Sequence, residues 1–235
     1  DGRPLTHIAA VGDDVWALGP ELVVLRTAGR WSVLRGERTQ SLEGVAVVGQ
    51  ERGFAVGRAG LMLARIEARE GAQWTPVEMT ATPPVTQDLT DITFASGRFG
   101  WVVGADGRVG RSDDGGKSWA FSGPLEVTEL RSVAALDPLN VFVGGGGPGL
   151  VASSDRGVTW RTLELPAMKG RGVGLDLALE RKGADIVRLV AASDHGFTVE
   201  TVVGRADVVA TNLGFVTPSR VSSADGSSWL LDLTG

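Results

Sequence analysis

The chain has 235 residues, a formal net charge of -5 and no cysteine. A chain of this length can bury a core of its own, and without cysteine it has no disulfide, thiolate metal site or cysteine nucleophile. Lysine and arginine form no cluster longer than a pair. The charge pattern therefore argues against binding of nucleic acid or of an anionic membrane surface.

Short apolar runs separated by Gly, Asp and Pro predict many short β-strands, and the chain contains 34 Gly and 10 Pro. Helical periodicity is not sustained over about 15 residues anywhere. No apolar run reaches the roughly 18 residues that a membrane-spanning helix needs, and no signal-peptide pattern is visible at the N-terminus. We therefore expect an all-β protein that does not insert directly into a membrane.

The runs group into six units, for which we predict the ranges 1–38, 39–80, 81–125, 126–168, 169–204 and 205–235. Four tryptophans recur at spacings of 43, 45 and 41 residues, namely Trp31, Trp74, Trp119 and Trp160. A period of about 40 to 50 residues with four short strands is typical of a β-propeller blade. The sequence predicts one β-propeller domain of six blades of four antiparallel strands, with five or seven blades as alternatives.

The last unit contains SSADGSSW, which we interpret as the turn before a final strand that starts at Trp229. Two earlier units carry a complete form of this turn, with the pattern S-x-D-x-G-x-[ST]-W. The first copy is Ser112, Asp114, Gly116, Ser118 and Trp119, and the second is Ser153, Asp155, Gly157, Thr159 and Trp160. An Asp at the head of a turn can accept bonds from following amides, Gly supplies a positive φ, and Trp anchors the next strand. We predict a structural role for these residues.

The turn pattern resembles the Asp-box, or BNR, repeat. The longer pattern that includes Gly53-Phe54-Ala55-Val56-Gly57 and Gly100-Trp101-Val102-Val103-Gly104 is similar to the repeats of the photosystem II assembly and stability factor family. That resemblance implies a non-catalytic scaffold that binds other proteins of a multi-subunit assembly and lies outside the cytoplasm, in the periplasm, at the cell surface or secreted. It implies no cofactor. In the family an arginine-rich patch is associated with partner contact, so the resemblance makes Arg58, Arg108 and Arg111 candidate binding residues; the alternative is that they are scattered surface charges.

The alternative is a propeller that binds or hydrolyses carbohydrate. The usual sialidase mechanism needs a Tyr nucleophile, and this chain contains no Tyr. A pair of carboxylates acting as glycosidase residues stays open, although no spacing singles out such a pair, so we predict no catalytic residue. His7 and His195 lack metal-ligand or triad spacing, and Asp113-Asp114 lacks further calcium ligands, so we predict no metal site.

A glycine-rich segment, VFVGGGGPGLVAS, matches G-x-G-x-x-G at Gly144, Gly146 and Gly149. A dinucleotide site of this type needs a helix after the glycines, because the helix N-terminus holds the pyrophosphate. The residues that follow, Leu150 to Ser153, predict a strand instead. We therefore interpret the glycines as a turn.

Overall fold

A computed structural model of the chain describes residues 5, 7–11, 14–19, 22–27, 29–34, 42–48, 52–65, 74–77, 79, 84–146, 149–164, 175–182, 186–193, 198–203, 220–224 and 227–231. In this part of the chain, regular structure consists of 21 β-strands and one short 3-10 turn at Arg58–Gly60. The all-β expectation is confirmed. None of the described residues belongs to a helix long and apolar enough to cross a bilayer.

The strands form antiparallel sheets in which neighbours in sequence are neighbours in the sheet. Sheet 1 contains β1 (His7–Val11), β2 (Asp14–Gly19), β3 (Leu22–Thr27) and β4 (Arg30–Leu34). Sheet 2 contains β5 (Leu42–Val48), β6 (Arg52–Gly57), β7 (Met62–Arg65) and β8 (Thr75–Pro76). Sheet 3 contains β9 (Leu89–Phe94), β10 (Gly100–Gly104), β11 (Val109–Ser112) and β12 (Ala120–Phe121).

Sheet 4 contains β13 (Leu130–Ala135), β14 (Val141–Gly145), β15 (Gly149–Ser153) and β16 (Arg161–Glu164). The described strands of sheet 5 are β17 (Leu175–Lys182), β18 (Ile186–Ser193) and β19 (Thr198–Val203). Those of sheet 6 are β20 (Arg220–Ala224) and β21 (Ser227–Leu231). Each sheet falls inside one of the six predicted ranges, while the fourth strand of sheet 5 and two strands of sheet 6 remain predictions.

The chain divides into two compact units. Unit 1 comprises residues 1–105 and 110–121, and unit 2 comprises residues 106–109 and 122–235. The prediction that all six repeats make one domain is therefore neither confirmed nor excluded, and it stays a prediction.

Within each unit the sheets stack in a regular order. In unit 1, β5 lies beside β1 and β2, and β9 lies beside β5 and β6. In unit 2, β17 lies beside β13 and β14, and β20 lies beside β17 and β18. In sheets 2, 3 and 5 the first strand therefore packs against the first two strands of the sheet before it, and β20 of sheet 6 packs in the same way.

This rule corrects our interpretation of the last unit. Because β20 takes the position of a first strand, β20 and β21 form the inner hairpin of sheet 6. Trp229 therefore lies on the second strand of that hairpin, paired with Ser222, while Asp225 and Gly226 lie outside the described residues. The sequence SSADGSSW looked like the turn before a fourth strand because Asp-Gly suits both kinds of turn.

Sheets 1 and 2 share one apolar core, which contains Trp16, Leu18, Val23, Leu25, Leu42, Val45, Ala55 and Leu63. Sheets 2 and 3 share another, which contains Ala46, Val48, Phe54, Val56, Met62, Ala64, Leu89, Ile92, Val102 and Trp119. Adjacent residues of β6, such as Phe54 and Ala55, therefore belong to different cores. Alternation along the strand sends successive side chains to opposite faces, so sheet 2 is buried on both sides.

A large aromatic ring from one sheet packs against a glycine of the next. A Cβ atom added at Gly53 would lie 2.1 Å from the Trp16 ring, and one added at Gly116 would lie 2.2 Å from the Phe54 ring. Only a glycine lets the backbone and the ring approach so closely. These two contacts set the separation of sheets 1 and 2 and of sheets 2 and 3.

We expect Gly53→Ala to lower the free energy of unfolding by about 1 to 3 kcal/mol, because the new methyl group would overlap the Trp16 ring in a packed core. Chemical denaturation followed by tryptophan fluorescence measures the effect. The matched control is Gly123→Ala, since no atom lies within 4 Å of the position where its Cβ would be. Equal stability of the two variants would contradict this account of how sheets 1 and 2 pack.

Candidate functional site

The two matches to S-x-D-x-G-x-[ST]-W form the same hydrogen-bonded turn, which we call the Ser-Asp turn. In sheet 3 it connects β11 to β12. The Ser112 hydroxyl donates to Asp114 Oδ1 over 2.9 Å and accepts the Gly116 amide over 2.8 Å. Asp114 Oδ1 also accepts the amides of Lys117 and Ser118 over 3.0 Å each, and Oδ2 accepts the Ser118 hydroxyl over 2.6 Å.

The tryptophan at the end of each Ser-Asp turn donates a hydrogen bond to the glycine of that turn. Trp119 Nε1 donates to the Gly116 carbonyl over 3.2 Å, and its ring is buried beside Phe54 and Phe94. An indole N–H buried without a partner would be costly. The turn therefore provides a hydrogen-bond acceptor for the indole N–H of Trp119, whose ring contributes to the core between sheets 2 and 3.

Sheet 4 repeats this arrangement between β15 and β16. Ser153 donates to Asp155 Oδ1 over 2.8 Å and accepts the Gly157 amide over 2.7 Å. Asp155 accepts the amides of Val158 and Thr159 and also the Thr159 hydroxyl. Trp160 Nε1 donates to the Gly157 carbonyl over 3.1 Å.

Both Ser-Asp turns need two consecutive residues in the left-handed region. Gly115 and Gly116 have φ of 78° and 85°, while Arg156 and Gly157 have φ of 69° and 81°. The motif specifies only the second position as glycine. At the first, the turn of sheet 4 places an arginine in a conformation that costs roughly 1 to 2 kcal/mol for a residue with a Cβ.

The hydrogen bonds also change the acidity of the two aspartates. Partial burial would raise the pKa of Asp114, but the bonds from Ser118, Ser112 and Lys117 together lower it to about 2. The pKa of Asp155 is lowered to about 2 by the hydroxyl and amide of Thr159, opposed by slight desolvation and assisted by Ser153 and Val158. Both carboxylates are thus stabilised in the ionised form and held as acceptors within their turns.

Arg52 connects sheet 2 to two turns of sheet 3. Its Nη2 donates to the Gly97 carbonyl over 2.8 Å and its Nη1 to the Gly115 carbonyl over 3.2 Å. Gly97 lies in the turn between β9 and β10, and Gly115 lies in the Ser-Asp turn. The guanidinium fork suits this arrangement, because its N–H groups can reach two separate carbonyls at once.

Each Ser-Asp turn is also bonded to the first hairpin turn of its own sheet. The Gly115 amide donates to the Arg98 carbonyl over 2.8 Å, and the Arg156 amide donates to the Leu139 carbonyl over 3.1 Å. Sheet 3 therefore places Arg98 at the position where sheet 4 places Leu139. In sheet 4 the side chains of Leu139 and Val158 are 47% and 68% exposed.

The three candidate binding arginines are each paired with a carboxylate. Arg58 lies 3.2 Å from Glu43, Arg108 lies 3.0 Å from Asp106, and Arg111 lies 2.9 Å from Asp113. Arg58 follows β6, Arg108 precedes β11 and Arg111 lies on β11. The three arginines are thus paired with three different carboxylates. Their role in binding stays a prediction.

The other sequence hypotheses fall on ordinary strands and turns or outside the described residues. A strand follows the glycine-rich segment as predicted, but Gly144 lies on β14 and Gly149 begins β15, so the interpretation of these two glycines as part of a turn is wrong. His7 lies on β1 and is half-buried, while His195 lies outside the described residues. Within the described ranges, no three His, Asp or Glu side chains are close enough to hold one metal ion.

Sequence reasoning missed Arg52 and a buried cation, Arg65. Arg65 ends β7 at 6% exposure, and its guanidinium carbon lies 5.7 Å from the centre of the Trp16 ring. Burial lowers the pKa of Arg65 from its ordinary value. The sequence feature that could have indicated a buried cation is the arginine inside the apolar run LMLARI. Its contact with Trp16 could not be read from that run, because Trp16 is 49 residues away in the chain.

No family model matches the chain. No curated protein matches it either. Similarity to known proteins therefore rests on solved structures.

The chain resembles 522 chains of solved structures, and two of them illustrate the likeness. The first is YCF48 from Cyanidioschyzon merolae, with a TM-score of 0.60 and 18% identity over 80% of this chain. The chain spans 61% of the length of that structure. The second is the β-propeller domain of Cps50 (Swd1) from Myceliophteria thermophila, with a TM-score of 0.69 and 11% identity, covering 93% of this chain and 76% of that one. At these identities the likeness concerns the fold, and the prediction of a β-propeller is confirmed.

We expect acid to reveal the contribution of Asp114. A carboxylate with a lowered folded pKa stabilises the protein fully above its unfolded value, roughly 3.9, and this contribution is lost as the pH falls through about 2. Melting temperatures of the parent and Asp114→Asn between pH 6 and 2 measure it. The difference between the two melting temperatures should be largest above pH 4 and should decrease as the pH falls towards 2. A gap that does not depend on pH would contradict the assigned hydrogen bonds.

We expect Arg52→Met to lower the free energy of unfolding by about 1 to 3 kcal/mol, because the Gly97 and Gly115 carbonyls lose a charged donor. Arg52→Lys should fall between Met and the parent, since an ammonium lacks the fork. Arg58→Met is the control, because Arg58 forms an exposed ion pair that contributes about 0 to 1 kcal/mol. Similar losses for Arg52→Met and Arg58→Met would overturn the connecting role of Arg52.

Proposed function

We propose that the chain is a non-catalytic β-propeller that binds other proteins and takes part in assembling a larger complex outside the cytoplasm. The fold supports this proposal, because a propeller presents a large rigid surface formed by loops and strand edges. Fold alone does not define function, so the argument depends on the surface of this chain.

The observation that carries the proposal is a set of exposed apolar side chains in two groups. Among the described residues, the large hydrophobic side chains that are at least 45% exposed are Leu5, Ile8, Trp31, Val33, Leu139 and Val158. The first four belong to sheet 1 or lie just before it, and the last two lie in the bonded turns of sheet 4. Grouped apolar side chains on a surface are typical of sites that bind proteins.

The Ser-Asp turns support membership of the Asp-box, or BNR, class, and the G-[FW]-x-V-G segments support a relationship to the photosystem II assembly and stability factor repeats. In this proposal the turn residues stabilise each sheet and take no part in binding. Each aspartate accepts four hydrogen bonds from its own turn, which occupies most of its acceptor capacity.

The same hydrogen bonds argue against Asp114 and Asp155 as the acid and base of a glycosidase. Acid and base catalysis require carboxyl groups that can gain or lose a proton near the working pH. Asp114 and Asp155 have a pKa of about 2, so both stay ionised at neutral pH. The alternative of a carbohydrate-active propeller would need other carboxyl groups.

Affinity capture tests the proposal. The tagged chain is incubated with extract of its native source, in parallel with a Leu139→Asp/Val158→Asp variant. We expect the parent to capture a defined set of proteins. The variant should capture at least tenfold less of each, because burying the new aspartate charges in an apolar interface is unfavourable. Lys117→Ser, which changes an exposed residue of the other Ser-Asp turn, is the control and should capture the parent set.

Two results would contradict the proposal. One is a parent chain that captures no specific protein but binds or cleaves glycans on an array. The other is recovery of the native protein in the cytoplasmic fraction, which would contradict the proposed location but not the binding of proteins.

A further inference from the structure

The Ser-Asp turns of sheets 3 and 4 differ at the residue between the aspartate and the glycine. Sheet 3 has Gly115 there, with φ of 78°, and sheet 4 has Arg156, with φ of 69°. Glycine adopts the left-handed region without cost, whereas a residue with a Cβ atom is strained in it. Backbone strain of this kind is concentrated at functional sites, so the outlier at Arg156 raises the question of what its side chain does.

The turn itself does not require an arginine at this position. In both sheets the serine and aspartate side chains accept the same set of amides. The amide of the variable residue donates to the first hairpin turn in both cases, from Gly115 to Arg98 and from Arg156 to Leu139. Glycine therefore forms the same backbone bonds as arginine, and the guanidinium is what the turn of sheet 4 adds.

Arg156 is exposed and belongs to two turns that also expose apolar side chains. Its amide is bonded to Leu139, which is 47% exposed, and Val158, two residues further on, is 68% exposed. The corresponding residues of sheet 3, Arg98 and Lys117, are exposed as well, although sheet 2 packs against sheet 3. A neighbouring sheet therefore leaves this end of a sheet accessible. We call Leu139, Arg156 and Val158 the apolar-arginine patch.

We infer that the apolar-arginine patch binds a short segment of another protein in which a carboxylate stands next to an apolar side chain. The inference rests on the proposed function and names the chemistry of its partner. A guanidinium has five N–H donors, so Arg156 can bind a carboxylate in addition to its contacts within the chain. Leu139 and Val158 supply the apolar area that such a segment would cover.

A phosphate group suits this patch less well than a carboxylate. Asp137 and Asp155 lie in the same two turns, where Asp137 accepts the amides of Leu139 and Asn140. Asp155 is ionised at neutral pH, because the hydrogen bonds of its turn lower its pKa to about 2. Its negative charge repels a doubly charged phosphate more strongly than a singly charged carboxylate. Charge and apolar area together favour an acidic and apolar peptide segment.

The probe is a phage-displayed library of short random peptides, selected on the immobilised full chain after depletion on the Leu139→Asp/Val158→Asp variant. We expect the enriched peptides to carry Asp or Glu within two residues of a Leu, Ile, Val or Phe. Binding of one enriched peptide, fluorescently labelled, is then followed by anisotropy. Arg156→Gly should weaken this binding at least tenfold, because the carboxylate loses a charged donor. Arg156→Lys should weaken it less.

A change in the peptide identifies the pair. Replacement of its carboxylate by the amide should weaken binding to the parent as much as Arg156→Gly does, and should weaken binding to Arg156→Gly no further. Lys117→Ser is the matched control, since it changes an exposed residue of the other Ser-Asp turn and should leave binding unchanged.

Arg156→Gly also separates binding from stability. Its melting temperature should equal or exceed that of the parent, because glycine removes the strain, and this gain offsets its greater freedom in the unfolded chain. A variant that binds less while being no less stable is the result expected of a binding residue. A lower melting temperature would assign Arg156 to the stability of the turn and overturn the inference.

Three further results would overturn it. The first is a set of enriched peptides without carboxylates, or no saturable binding at all. The second is peptide binding that Arg156→Gly leaves unchanged. The third is competition by inorganic phosphate at a lower concentration than by acetate, which would identify a phosphate group as the ligand. Capture of native proteins that depends on Leu139 and Val158 but not on Arg156 would likewise overturn the inference, and it would leave the proposed function standing.

Discussion

The structure depends on the need of each small sheet to bury two apolar faces. A four-stranded sheet of short strands cannot do this alone, so it must pack between two neighbours. In unit 1 the spacing of the sheets is set where a large ring enters the space left by a glycine, with Trp16 over Gly53 and Phe54 over Gly116. Burial of each ring contributes stability through the apolar area removed from water, and the glycine permits the contact.

The Ser-Asp turn extends this packing from the core to the surface. It fixes the path of the chain into the fourth strand and accepts the indole N–H of a tryptophan whose ring packs inside. Asp114 and Asp155 accept hydrogen bonds from backbone amides of the turn that have no other partner within it. These bonds, with those from the turn hydroxyls, explain the low pKa of the two aspartates. Polar residues that recur in the sequence therefore serve packing, so recurrence by itself did not indicate a ligand site.

Sheets 2 and 3 receive an aromatic ring from the preceding sheet, while the corresponding Trp31 of sheet 1 is exposed. Exposure of an indole in an otherwise buried position links the architecture to the proposed binding role.

The sequence alone determined the all-β class, the repeat of about 40 to 45 residues and the two Ser-Asp turns. The two turns could be predicted because the hydrogen bonds that define them lie within a few residues: both partners of each of these bonds in sheet 3 lie between Ser112 and Trp119. Only the tertiary structure decided the roles of Arg52 and Arg65, the first-hairpin position of Trp229 and the exposure of Trp31. The partners of Arg52 lie 45 and 63 residues away, and strand order depends on which sheets stack. Contacts of that range depend on which sheets pack together, and no local sequence motif specifies them.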